Sequence, residues 1–165
     1  MHVNTQPRVN ALAFEAVAPR RGGRSLFAPL SASLEPGTFL GIVGPNGSGK
    51  SSLLSVVART GVRATGTVRY GGRDVARMRS RERAEILALM TQDSYAPNEL
   101  RVLDIVRVGA LAGAAAGKGS ATDRSHDALE QLGIHDLAAR AYSTLSGGQR
   151  QLVQLARVLA QNSPV

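Results

Sequence analysis

Up to Met90 the apolar residues come in short runs, and after Pro97 they fall at helical spacing. Residues 8–17, ending Ala11-Leu12-Ala13-Phe14-Glu15-Ala16-Val17, predict a first strand, and Pro19-Arg20-Arg21-Gly22-Gly23 a turn. Leu26 to Leu34 predicts a second extended stretch, broken by Pro29. Glu35-Pro36-Gly37 is a tight turn into Phe39-Leu40-Gly41-Ile42-Val43, an unbroken apolar run of the length of a buried strand. Ser52-Leu53-Leu54-Ser55-Val56-Val57-Ala58 suits a helix running from about Gly49 to Arg59 and stopping near Gly61. Gly66 to Tyr70 is a short strand that Gly71-Gly72 turns back. A charged helical turn follows Ser80, and Ile86-Leu87-Ala88-Leu89-Met90 predicts another buried strand leading to Thr91-Gln92-Asp93.

Beyond Pro97, Val102, Leu103, Ile105, Val106, Val108 and Leu111 predict a helix. Residues 109–121 are dominated by Gly and Ala, a low-complexity loop. Thr122 to Leu132 predicts an amphipathic helix stopped by Gly133, and Asp136 to Arg140 a further helical turn. A last helix from about Gly148 places Leu152, Leu155, Ala156 and Leu159 on one face. Strands come first, helices follow, and no strand resumes, which is unusual for a domain whose parallel sheet should be completed.

Candidate chemistry lies between the apolar run at 39–43 and the helix behind it. Gly44-Pro45-Asn46-Gly47-Ser48-Gly49-Lys50-Ser51 reads G-x-x-x-x-G-K-S, and Ser52 follows. Strand, glycine-rich turn and helix aim successive backbone N–H groups at one point, where the helix start adds partial positive charge. Polyphosphate is the ligand such a turn holds, with Lys50 neutralising the β- and γ-phosphates and the Ser51 hydroxyl completing the shell of a Mg²⁺ ion.

Composition narrows the remaining classes. There is no cysteine, so disulfide scaffolds and thiolate metal sites are excluded. The start lacks a basic segment followed by an apolar core, and no apolar run approaches a membrane span, which predicts a soluble chain. The formal net charge is +8, and of 20 basic residues only Lys50 and Lys118 are lysine, leaving 18 arginines. Such a balance invites a nucleic-acid reading, yet aromatics are only 4% and none interleave with the groups Arg20-Arg21-Arg24 or Arg77-Arg79-Arg81-Arg83. No nucleic-acid partner is expected. His2, His126 and His135 read as surface residues.

A second small-residue motif, Leu145-Ser146-Gly147-Gly148-Gln149, stands just before the last helix. By itself it is either another N–H-exposing helix start or a plain cap, since Ser146 is a good N-cap residue. With the phosphate loop and Gln92 between them, the set resembles the ATP-binding cassette (ABC) ATPases over nearly the whole chain. Gly44 to Ser51 matches the family's Walker A loop, Gln92 its Q-loop, and Leu145 to Gln149 its signature motif. The fold this implies is α/β: a P-loop NTPase core with an N-terminal β subdomain and an inserted helical subdomain, incomplete at the C-terminus. Residues 1–97 would form the β subdomain and core, 98–145 the helical subdomain, and 146–165 the signature helix.

The resemblance also implies a mechanism. Two cassettes pack head to tail, so that Ser146, Gly147, Gly148 and Gln149 of one close on ATP held by the Lys50 loop of the other. Ser51 and Gln92 would attend Mg²⁺, and the region from about 98 to 142 would dock transmembrane permease subunits, keeping the chain on the cytoplasmic face of the membrane. The stretch from Gln92 through Arg101-Val102-Leu103-Asp104-Ile105-Val106-Arg107-Val108-Gly109 looks like the importers for iron chelates, haem and cobalamin. The sequence also departs from the family. Where the family carries an adenine-stacking aromatic, this chain has Pro19-Arg20-Arg21-Gly22. Ser52 stands for the commoner threonine. The Walker B aspartate, the catalytic glutamate and the switch histidine would all lie beyond Val165, so these 165 residues are expected to bind ATP without hydrolysing it. The alternatives are a soluble ABC ATPase acting on ribosomes or DNA, and a pseudo-cassette without chemistry.

Overall fold

The computed structural model describes residues 12–91, 99–113 and 119–165. They fall into two compact units, Met1–Arg79 and Ser80–Val165.

The first unit is an antiparallel sheet with one helix. Strand β1 (Leu12–Arg21) is central, with β2 (Arg24–Ser25) and β3 (Leu30–Leu34) on one edge and β4 (Arg63–Tyr70) on the other. The short β5 (Arg73–Asp74) returns along β4 through Gly71-Gly72, as the sequence predicts. Strand β1 runs further than expected. Pro19, Arg20 and Arg21 are not a turn but the end of the strand, with Pro19 and Arg20 paired to Ala64 and Arg63 of β4. Only Gly22-Gly23 turns, bringing Arg21 opposite Arg24. Helix α1 (Lys50–Ala58) lies against β1 and β4 and buries Leu53, Val56 and Val57. The inward side chains of the sheet are Leu12, Phe14, Val17, Val68 and Tyr70.

The run Phe39–Val43 corrects an expectation. It joins no sheet, and Phe39 and Val43 are 97% and 92% exposed. An all-apolar strand is at home only between two neighbours, covered on both faces. Among the described residues no strand pairs with it, so its hydrophobicity alone does not bury it.

In the second unit, Ser80–Ile86 is helix α2, and the strand predicted over 86–90 does not form a ladder. One pair of bonds remains of it: Ala88 N–H donates to the Val165 carbonyl (2.8 Å), and Val165 N–H to that of Ile86 (3.1 Å). That alternation across Leu87 is the bonding of a parallel pair. Helices α3 (Val102–Ala112), α4 (Ala121–Gln131) and α5 (Gly147–Gln161) pack on one another around Val102, Val106, Leu129, Val153 and Ala156. Helix α4 starts in a capping box formed by Ser120 and Asp123, and the turn predicted near Asp136 is the 3-10 segment His135–Leu137.

Helix α5 turns a different face inward from the one its leucines suggest. Val153, Gln154, Ala156, Ala160 and Gln161 are buried, while Leu152 and Leu159 are 37% and 41% exposed. Backbone proximity explains the choice. A Cβ on Gly109 of α3 would lie 2.0 Å from the Arg157 carbonyl oxygen, and one on Gly113 would lie 1.8 Å from that of Gln161. Helices this close accept alanines at the seam and leave leucines outside. Gln161 then donates to the carbonyls of Ala84 (2.7 Å) and Leu87 (2.8 Å), which satisfies its buried amide.

Candidate functional site

The loop of residues 44–49 is entered through the Glu35-Pro36-Gly37 turn, closed by the Thr38 N–H and hydroxyl on the Glu35 carbonyl (3.2 and 2.7 Å). Within it, Ser48 N–H donates to the Pro45 carbonyl (3.3 Å). Gly49 is the N-cap of α1 and has φ 97°. The conformation favours glycine, and a Cβ there would also meet the ring of Phe27 at 3.1 Å and Leu26 at 3.2 Å, a tight contact. Phe27 forms the wall behind the loop, a role the sequence pattern does not announce because the two residues are distant in the chain.

Helices α4 and α5 each carry a full capping box, and α3, without a side-chain cap, has Asp104 in its first turn. Helix α1 has neither a side-chain cap nor an acidic residue in its first turn. Its first N–H groups therefore keep the partial positive charge of an unsatisfied helix end. Ser51 is exposed at that end and Ser52 half-buried. The Lys50 ammonium donates to the carbonyls of Gly44 and Pro45, both at 2.8 Å. A cation thus sits in the ring of the loop beside uncapped donors, an arrangement that suits a polyanion. Neither Glu15, paired with Arg69, nor Asp74, which caps Ala76 and pairs with Arg77, is held at this loop.

The second motif opens α5. Ser146 Oγ accepts from Gln149 N–H (3.3 Å), and Gln149 Oε1 accepts from Ser146 N–H (3.0 Å). Leu145 is buried in the helical core and anchors the motif, while Ser146, Gly147 and Gly148 are exposed. The cap reading of this motif is therefore correct as geometry, and both glycines remain exposed. Behind it, Arg150 donates to the Ser143 carbonyl (3.0 Å) and lies over the Tyr142 ring. Residues 44–52 are brought together in the first unit and 146–149 in the second. Gln92 and Asp93 lie outside the described residues.

His126 and His135 are surface residues, as expected, but they also bond to each other, Nδ1 to Nε2 at 2.9 Å. The chain reversal at Gly133 makes this pair, and sequence spacing alone does not reveal it.

Comparison with known proteins places the site in context. The profile of a family described as ABC transporter matches residues 27–165. The hemin import ATP-binding protein HmuV of Bordetella bronchiseptica is 40% identical over 141 residues, 86% of this chain and 54% of that protein. Its counterpart of the same name from Myxococcus xanthus is 41% identical over 145 residues, 87% and 54% of the two chains. The chain thus spans about half the length of these curated relatives. Among solved structures, an ATP-binding cassette of an ABC transporter in its ADP conformation has a TM-score of 0.73 at 26% identity, covering 94% of this chain and 66% of that one. A bacterial Atm1-family ABC exporter with ATP bound has a TM-score of 0.79 at 23% identity, over 99% and 30%, which speaks for the fold. The α/β cassette fold expected from the motifs is thereby established for its N-terminal part.

Proposed function

This chain belongs to the ABC transporter family, and on that premise we propose that it is the nucleotide-binding part of a hemin importer's ATPase subunit. The observation that carries the reading is the uncapped start of α1, with Lys50 folded into the loop before it. ATP would lay its phosphates against the N–H groups of residues 44–51, and Lys50 would leave the Gly44 and Pro45 carbonyls for the β- and γ-phosphates. The hydroxyl of Ser51, with Gln92, would hold Mg²⁺, which offsets phosphate charge. Pro45, Asn46, Gly47 and Ser48 would shape the loop, and Ser52 would extend its rim.

Ser146, Gly147, Gly148 and Gln149 would meet the nucleotide of a second cassette. Their exposed glycines and buried Leu145 support that role, because the loop is presented outward on a fixed base. Transmembrane permease subunits would complete the transporter at the cytoplasmic face of the membrane. No helix among the described residues is long and apolar enough to cross a membrane. Hemin as the substrate class is supported by the names of the relatives.

Two measurements test this. Calorimetry with Mg²⁺ is expected to show ATP binding that Lys50→Ala weakens. Absence of ATP binding, or binding unchanged in Lys50→Ala, would contradict the site. In the source cell, loss of the gene is expected to prevent growth on hemin as sole iron source. Undiminished growth would refute the substrate.

A further inference from the structure

The chain reversal at Gly133, where φ is 64°, sets two histidines against each other on the surface of the second unit. His126 stands in the middle of α4, and His135 opens the 3-10 segment that follows. His126 Nδ1 and His135 Nε2 lie 2.9 Å apart, the ring centroids 5.1 Å apart, and the ring planes are tilted by 45°. Both backbones are fixed. The N–H groups of Gly133 and Ile134 donate to the carbonyls of Glu130 and Leu129 (2.9 and 3.0 Å), and Ile134 and Leu137 are buried in the helical core. The imidazoles remain open to solvent, His126 half-buried and His135 exposed.

Charge and geometry both bear on what this pair can hold. Asp123 and Glu130 stand one turn before and one turn after His126 on the same face of α4. Asp123 is close enough that the charge of His126 helps to hold its carboxyl low. Arg124, by contrast, is buried and directed away, donating to the carbonyls of Gly119 (2.8 Å) and Ala110 (2.7 Å). Carboxylates therefore flank the pair in a chain of net charge +8, and a cation is favoured there. Two imidazole nitrogens 2.9 Å apart, each about 2.0–2.1 Å from one ion, subtend about 90° at it. That is the cis angle of square-planar or octahedral coordination, the geometry of copper and nickel, and is narrower than zinc's tetrahedral angle. We propose that His126 Nδ1 and His135 Nε2 form a chelating site for one divalent copper- or nickel-class ion, which staples α4 to the 3-10 segment. The proton now shared by the two nitrogens moves to the far nitrogen of its ring, so both neutral imidazoles offer a lone pair. Water fills the remaining positions, since no group of three or more His, Cys, Asp or Glu side chains among the described residues is placed to hold a metal. The proposal is independent of the nucleotide reading, because it uses no residue of 44–52 or 146–149.

The test is calorimetry of the full chain with Ni²⁺ in mildly alkaline buffer. One ion per chain is expected to bind at this pair. Either imidazole alone loses the chelate, so His126→Ala and His135→Ala are each expected to weaken binding about tenfold or more, and the double variant little further. His2→Ala is expected to leave that affinity unchanged. The unsubstituted chain gives a second reading that no variant can spoil by misfolding: Ni²⁺ should shield His126 and His135 from diethylpyrocarbonate, mapped by peptide mass. Absence of saturable binding overturns the proposal. So does an affinity unchanged in both histidine variants, which would put the ion elsewhere, and so does modification of His126 and His135 at the same rate with and without Ni²⁺.

Discussion

The Lys50 ammonium donates to the carbonyl of Gly44 at 2.8 Å, folding the lysine back across the loop it terminates. A second bond to Pro45 at the same distance makes Lys50 the bridge of that loop. A phosphate oxygen is a charged acceptor and outcompetes a neutral carbonyl for an ammonium. Lys50→Ala is expected to weaken Mg–ATP binding by about ten- to a hundredfold, the worth of a charge-assisted bond. Its thermal midpoint should change little, because the side chain is only half-buried. Calorimetry and a melting curve on the same sample check both halves, and unchanged affinity refutes the placement of the site.

Ser146 should matter to the helix before it matters to any partner. Its hydroxyl and Gln149 cap α5 reciprocally. Ser146→Ala is expected to cost about 1 kcal/mol and to speed amide exchange in the first turn of α5. Hydrogen exchange resolved to residues 147–150 reads this directly, and unchanged exchange there refutes the cap.

Gly109 offers the sharpest packing test. An added methyl would meet the Arg157 carbonyl at 2.0 Å, so the α3–α5 seam must open. Gly109→Ala is expected to destabilise the second unit by about 1–3 kcal/mol despite alanine's better helix propensity. The neighbouring exposed Val108→Ala should stay within about 0.5 kcal/mol. Equal denaturation midpoints for the two variants would contradict the close seam.

Asp123 links stability to pH. The Ser120 backbone N–H bond (2.9 Å) chiefly holds its carboxyl below the usual value, helped by the Ser120 hydroxyl and the charges of His126 and Arg124. A depressed folded pKa means that its stabilisation is complete above the unfolded value, near about 3.9, and is lost as pH falls through the folded one. Asp123→Ala should therefore lower the melting temperature at pH 7, with the gap closing as the pH drops below about 4. A gap that persists undiminished at pH 2 would show that the carboxylate charge is not the source.

How much of this was legible beforehand varies with the range of the interaction. Gly49, Lys50 and Ser146 declare themselves in sequence because phosphate loops and helix caps are made by neighbours. Helices α1, α3 and α4 were equally readable, from local spacing and stop signals. Phe39–Val43 shows the limit: an apolar run states what a segment would prefer, but burial requires a partner strand. The leucine face of α5 fails for a related reason. Periodicity locates an apolar face, but Gly109 and Gly113 decide which face another helix can approach.

The sequence alone determined the phosphate loop, the capping motif at 146–149, the order of strands before helices and the family those features indicate. Tertiary structure decided the rest. It set Phe27 behind Gly49, paired His126 with His135, and brought Arg20, Arg21 and Arg63 around one cavity from two strands. Local patterns record what adjacent residues do together, whereas contacts across the fold depend on which backbones can come close, and that only the folded chain fixes.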